Sequence, residues 1–347
     1  MSKRLQSLDV LRSVAIILVL VAHIILGYGA PSSLAPLQLG GVGVDLFFVL
    51  SGWLLGSQLF KEITDTGNIE IRRFWYRRWI RTMPAYYAVL GAISVQQMLT
   101  KESWSFPIDY LFFVQNYNQP FEIFHISWSL AVEEQFYLII APAIFYIWRF
   151  SANKRLAILL IALLTPSIFR YFGLYENEYQ THVRIDGCVA GVTLAYIRSQ
   201  HSLFWQALTR YCLPIFIMST ILFFLYFLQR YIPISWLSDP GMLERALIFS
   251  GWVLFAINLA NKSFWNIYGS YYIATRSYSL YLLHPEAIAI VNRLNIELNF
   301  LFYFIAVFII SLIFAEILYR TIEMPFLRIK SKITPSTSAQ KALKSEQ

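Results

Sequence analysis

Apolar stretches of about twenty residues alternate with short polar or basic ones along nearly the whole chain. They can be laid out at 8–28, 42–60, 82–100, 130–148, 155–173, 185–199, 209–229, 244–261, 271–291 and 299–321. Each approaches the roughly 20 residues that a helix needs to cross hydrocarbon. The sixth is short, which predicts a tilted or broken helix. The pattern therefore predicts an all-α integral-membrane fold of about ten transmembrane helices in one bundle, with residues 1–328 as one domain. A polar tail follows at 329–347, and its composition predicts disorder. No internal repeat is evident. The run that starts at Leu8 has no small-residue cleavage site before its loop, so it is expected to be retained as a first span and not removed as a signal peptide.

Charge orders these elements. Lys3, Arg4, Lys61, the arginines of 72–81, Arg149, Lys154, Arg155, Arg198, Arg210, Lys262 and the basic residues after 327 fall on one side in this layout. Lys101, Arg184, Arg230, Arg245 and Arg293 fall on the other. Basic loops face the cytoplasm. Both termini are therefore expected there, and the chain is expected to be a multi-pass protein of the cell's inner (cytoplasmic) membrane. Composition agrees: 57% of residues are hydrophobic, 14% are charged and the mean hydropathy is +0.53, far from the soluble norm of about 25% charged. The net charge of +8 does not point to nucleic acid, because the basic residues are spread among loops as orientation alone would place them. Cys188 and Cys212 fall on opposite sides, so neither a disulfide nor a cysteine metal site is expected. Close ligand spacing such as His-X3-His is absent, so no metal is expected either.

The informative residues are the polar ones inside the apolar runs, because a titratable side chain in hydrocarbon costs a few kcal/mol and marks a wet or functional place. Asp9 and Arg12 open the first run, and His23 follows eleven positions after Arg12. Eleven helical residues turn through about 1100°, so His23 returns to within roughly 20° of Arg12 in azimuth and lies about 16 Å further along the axis. The predicted topology places Arg12 near the cytoplasmic mouth and His23 in the outer half. It gathers Asp45, Glu133, Glu134, Arg184, Asp186 and His284 at a depth similar to that of His23. On the inner face, Arg72, Arg73, Arg77, Arg78 and Arg81 crowd one loop with Phe74, Trp75, Tyr76 and Trp79 between them, which sets fixed positive charge beside aromatic faces. A phosphorylated, adenine-bearing head suits such a loop. An extended pantetheine arm, on the order of 15 Å, matches the Arg12 to His23 separation. Acyl-coenzyme A has this shape.

At these residues the chain resembles the membrane acyltransferase-3 family, integral acyltransferases that modify surface polysaccharides, lipids and some small molecules. Leu8-Asp9-Val10-Leu11-Arg12 with His23 matches an Arg-X10-His pattern, and Asp45-Leu46-Phe47-Phe48-Val49-Leu50-Ser51-Gly52 a second-span motif. Phe74-Trp75-Tyr76-Arg77-Arg78-Trp79-Ile80-Arg81-Thr82-Met83-Pro84 resembles the basic loop, and Trp128-Ser129-Leu130-Ala131-Val132-Glu133-Glu134-Gln135-Phe136-Tyr137 the fourth-span motif. Ser279-Leu280-Tyr281-Leu282-Leu283-His284-Pro285 and Glu323-Met324-Pro325-Phe326 are similar to late motifs. The similarity covers roughly residues 5 to 328. It implies that His23 and Arg12 are essential and that the basic loop handles the acyl donor. Some members carry an appended extracytoplasmic hydrolase-like domain. None is expected here, so the acceptor is expected to meet the membrane domain directly or through a partner.

The resulting expectation is an acetyl-CoA-dependent O-acyltransferase of the cell envelope that moves an acyl group from the cytoplasmic side to a hydroxyl of a saccharide or lipid-linked saccharide outside. His23, with a side-chain pKa normally near neutrality, would be the base or the acyl carrier. Arg12, Glu133, Glu134 and Asp45 would join it, Arg77, Arg78, Arg81 and Arg12 would bind the donor, and Trp128, His284, Arg184 and Asp186 would bind the acceptor. Each has a plainer reading. Arg12 could snorkel to headgroups and pair with Asp9, the basic loop could serve orientation alone, and Arg184 and Asp186 could be one salt bridge. The rival from another class is a proton-coupled secondary transporter using His23, Asp45 and Glu133 as a relay. A transporter would be expected to show pseudo-symmetric halves with broken spans, and it would not need an arginine loop.

Overall fold

The computed structural model describes residues 5–121, 123–229, 231–232 and 241–333. Every regular element among them is helical, as the apolar pattern predicts. The α-helices are α1 (Gln6–Gly27), α2 (Gly43–Thr66), α3 (Ile71–Thr100), α4 (Trp128–Ile147), α5 (Ala152–Tyr171), α6 (Asp186–Gln200), α7 (Ser202–Arg210), α8 (Cys212–Gln229), α9 (Met242–Asn258), α10 (Ser270–Arg293), α11 (Phe300–Leu318) and α12 (Met324–Ile333). Each predicted segment lies on a helix of its own. By length and composition, six stretches are long and apolar enough to cross a membrane: Gln6–Gly27, Pro36–Thr66, His125–Ile147, Ala152–Tyr171, Cys212–Gln229 and Phe300–Ile329. The helices α6 and α9 are shorter, and α3 and α10 carry more polar side chains, several of which turn toward the site described below.

Local chemistry sets many of the ends. Gly67 closes α2 with φ 72° and Gly269 precedes α10 with φ 79°, a backbone region in which glycine has no Cβ penalty. The Asn299 side chain accepts the Phe302 amide at 3.1 Å and caps α11. Three boundaries differ from expectation. The basic segment is not a loop: it forms the first turns of α3, which begins eleven residues before the predicted 82, because arginine is a good helix former and counter-charges await it on α4. The α1–α2 connection folds back, and its 3-10 segment Ala35–Val42 packs so closely on α1 that a Cβ at Gly40 would strike the Leu18 carbonyl. Finally, α12 continues to Ile333, past the predicted domain end at 328, while residues 334–347 of the expected tail lie outside the described residues, as do Lys3, Arg4 and Arg230.

Contacts fix the relative directions of the helices. Ser13 Oγ donates to the Ser270 carbonyl at 2.8 Å and His23 meets His284 further on, so α1 and α10 run parallel. The pairs Asp45–Arg184 and Phe60–Tyr196 make α2 and α6 parallel too, and Trp75–Tyr137 with Thr82–Glu134 makes α3 and α4 antiparallel. The α2–α6 seam is the tightest. Gly52 on α2 meets Cys188 and Gly191 on α6, and one turn on Gly56 meets Val192 and Ala195, a four-residue spacing of small residues on both partners that lets the backbones approach. A methyl group at Gly52 would collide with the Cys188 carbonyl, and one at Gly191 would lie 2.5 Å from the Trp53 amide. Gly191→Ala should therefore lower stability by about 1–3 kcal/mol, as overpacking does. Thermal unfolding in detergent checks this, with Gly91→Ala, where a Cβ meets open space, as the unaffected control. An unshifted Gly191→Ala melting temperature would contradict this view of the seam.

Candidate active site

Arg12, Arg78 and Arg81 reach one cavity from α1 and α3, and Ser51 and Glu133 join them from α2 and α4. The cavity holds about 850 Å³, its open mouth included. Its charged side chains are braced. The Glu133 carboxylate accepts hydrogen bonds from Ser51 Oγ at 3.1 Å and Tyr137 Oη at 2.5 Å. One nitrogen of the Arg78 guanidinium donates to Gln58 Oε1 at 3.1 Å, and its carbon lies 5.9 Å from the centre of the Tyr137 ring. Arg12 lies 3.5 Å from Asp9, the pair the sequence offers as an alternative, and still borders the cavity. Beside the cavity, Glu134 accepts from Thr82 Oγ1 at 2.7 Å. Arg77 lies outside the cavity lining, nearest the charges of Arg73, Glu62 and Glu70.

Ser129 and Tyr281 line the cavity as well. Their hydroxyls are 2.6 Å apart, and Tyr281 Oη also reaches the Ile126 carbonyl at 2.9 Å. Behind them are the histidines. The Tyr281 and His284 rings are 5.8 Å apart, and His284 meets His23 edge-on at 4.8 Å. Both histidines have a defined tautomer, because a carbonyl can only accept. His23 Nδ1 donates to the Val19 carbonyl at 2.9 Å, which leaves the lone pair on Nε2. His284 Nδ1 donates to the Tyr281 carbonyl at 2.8 Å. That carbonyl is the one Pro285, having no N–H, fails to bond in the helix, so the His-Pro order supplies its own repair. The His284 ring is fully buried, and its Nε2 has no hydrogen-bond partner among the described residues. His125, just before α4, lies within electrostatic reach of His23.

The expectation that all the polar groups gather level with His23 does not hold. His284 joins His23, whereas Glu133 and Glu134 lie with the arginines and Thr82. Two features of the backbone cause this: the folded-back 35–42 segment starts α2 part-way down α1, and α3 begins early. Asp45 takes a third position, with Arg184 2.6 Å from one carboxylate oxygen and Arg245 3.2 Å from the other. Asp186 pairs with Arg170 at 2.9 Å and not with its neighbour Arg184. These pairs tie α6 to α2 and α5, and α2 to α9. Trp128 packs edge-on to Phe48 and under the Arg184 guanidinium, whose carbon is 5.2 Å from the Trp128 ring centre. Sequence reasoning passed over Ser51, Thr82, Tyr137, Tyr281 and His125. Ser51, Thr82, Tyr137 and Tyr281 stand inside motifs it quoted, so a search for hydroxyls within those motifs would have found them. His125 carried no such signal.

A family model described as an acyltransferase domain, acyltransferase-3, matches residues 5–320. Over 92% of its length the chain is 30% identical to an inferred O-acetyltransferase of Staphylococcus aureus (strain COL). Over the same share it is 28% identical to the O-acetyltransferase OatA of Staphylococcus aureus (strain NCTC 8325 / PS 47). The chain spans 56% and 57% of the lengths of these two relatives. No solved structure matches it.

Proposed function

The chain belongs to the acyltransferase-3 family, and from that membership we propose that it is an integral-membrane O-acetyltransferase that uses acetyl-CoA from the cytoplasmic side and acetylates a hydroxyl of a saccharide or lipid-linked saccharide on the outer side. The observation that carries this reading is the chain of side-chain contacts that leads from the arginine-lined cavity through Tyr281 and His284 to His23. Arg12, Arg78 and Arg81 offer planar donors to the phosphates and adenine of the donor. Glu133, held by Ser51 and Tyr137, balances them when the site is empty of anions. The pantetheine arm would extend toward Tyr281, bringing the thioester to the histidines.

The chemistry centres on His23 Nε2. It takes the proton of the acceptor hydroxyl as that oxygen attacks the thioester carbonyl. The tetrahedral intermediate then expels the coenzyme A thiolate, which takes the proton back from the imidazolium, leaving an ester and free thiol. If the acyl group instead rests on the enzyme, Nε2 attacks the thioester carbonyl and expels the coenzyme A thiolate; the acceptor hydroxyl then attacks the acyl-imidazolium carbonyl, its proton passes to the thiolate and the neutral ring is released. His284, whose Nε2 has no hydrogen-bond partner among the described residues, borders the His23 ring where positive charge develops.

Purified protein in nanodiscs with acetyl-CoA tests the proposal: coenzyme A should be released, and faster with the acceptor. Arg78→Gln and Arg81→Gln should each raise the Kd for coenzyme A about tenfold or more, the weight of a charge-assisted hydrogen bond, as measured by calorimetric titration. Unchanged affinity in both variants would remove these arginines from the donor site.

A further inference from the structure

Beside the histidines, at the entry to α4, four aromatic rings from two separate connections form a surface that the reaction scheme above does not use. Phe121 and His125 come from the connection before α4, and Tyr179 from the one before α6, while Trp128 opens α4. Phe121 lies 4.9 Å from His125 and 5.4 Å from Tyr179, and Tyr179 lies 5.0 Å from Trp128, centre to centre. His125 is exposed, Phe121 and Tyr179 are half-buried, and Trp128 is buried behind Tyr179. Such a surface on loose loops would mean little, but these loops are pinned from beneath. The buried Asn116 side chain donates to the Tyr179 carbonyl at 3.0 Å and to Thr181 Oγ1 at 2.9 Å, and it accepts from Gln135 at 2.9 Å. Gln115, also buried, donates to Ser127 Oγ at 3.0 Å. Over the Trp128 ring the Arg184 guanidinium is held by Asp45.

We propose that Phe121, His125 and Tyr179, backed by the buried Trp128, form the acceptor platform: a pyranose ring lays its C–H face on the aromatic surface and turns a hydroxyl toward His23, while His125 hydrogen-bonds a neighbouring hydroxyl. This rests on the acyltransferase reading. A sugar has one apolar face bounded by hydroxyls, and the platform has apolar faces bounded by the exposed His125 imidazole. A lipid chain would match the faces but not the polar edge. The platform also gives the two buried amides beneath the connecting loop a role, because stacking requires rings whose positions are set before the ligand arrives.

The test uses full-length protein in nanodiscs with acetyl-CoA, and with cellotetraose, maltotetraose and chitotetraose as acceptor probes. At least one probe should accelerate coenzyme A release. Phe121→Ala and Tyr179→Ala should each raise the KM for that probe about tenfold without altering the Kd for coenzyme A. Tyr179→Phe, which keeps the ring, should restore the KM. A probe-stimulated rate with unchanged KM in both alanine variants would overturn the platform and leave the acyltransferase reading standing. Coenzyme A release that no tetrasaccharide accelerates would overturn the saccharide platform as well. Absence of any coenzyme A release or binding would instead sink the reading beneath it.

Discussion

His23→Ala should abolish acyl transfer, with a loss of about 10²–10⁴-fold or more in turnover, while folding and coenzyme A affinity stay near those of the unsubstituted protein. The magnitude is that of removing a positioned proton-transfer group, and it grows if the acyl group passes through the ring. Selectivity of the effect follows from geometry. Among the described residues the ring's only hydrogen bond is to a carbonyl of its own helix, and the arginine-bearing cavity does not include it among its walls. Removing His23 therefore breaks no tie between helices apart from the edge contact with His284. Turnover measured on the true acceptor, with coenzyme A titration alongside, decides the matter. Near-normal turnover in His23→Ala would sink the mechanism.

Asp45→Ala should destabilise the protein by about 3–5 kcal/mol, the cost of truncating one partner of a buried ion pair. Asp45 is 2% exposed and Arg184 6%, so deletion of the carboxylate strands a buried guanidinium and also frees Arg245 from α2. Asp45→Leu combined with Arg184→Leu should recover a large part of the loss, because the uncompensated charge is then gone. Thermal and chemical unfolding read the stability, and activity should fall in proportion to the folded fraction. An Asp45→Ala protein that is as stable as the parent yet inactive would return Asp45 to the catalytic group in which its motif first placed it.

The distinction between those two residues marks where sequence reading ended. Asp9, Arg12, His23 and Asp45 stand out for one reason: each is an ionisable side chain in an apolar run, and the solvation cost of that arrangement is visible without knowing any contact. What each does depends on neighbours that are distant in the chain. Asp45 meets Arg184 and Arg245, and His23 meets His284, because helices far apart in sequence pack together.

Helix identity was legible from the chain for the same local reason, since about twenty apolar residues without water must satisfy their own backbone hydrogen bonds as a helix. The Arg-X10-His face followed from the 3.6-residue period alone. Relative depth did not. It was set by the folded-back segment 35–42, which starts α2 part-way along α1, and by the early start of α3, which carries Arg78 to Glu133 and Glu134. Neither leaves a periodic signal, because both depend on which backbone can approach which: the glycines at 40, 43, 52 and 191 permit contacts that any larger residue would block. The sequence by itself determined the helices, their apolar character and the short list of reactive side chains, all properties of a local segment and its solvent. Only the tertiary structure decided which of those side chains share a cavity, which meet as paired rings and which are locked in ion pairs, because those outcomes depend on close packing between segments that no local pattern encodes.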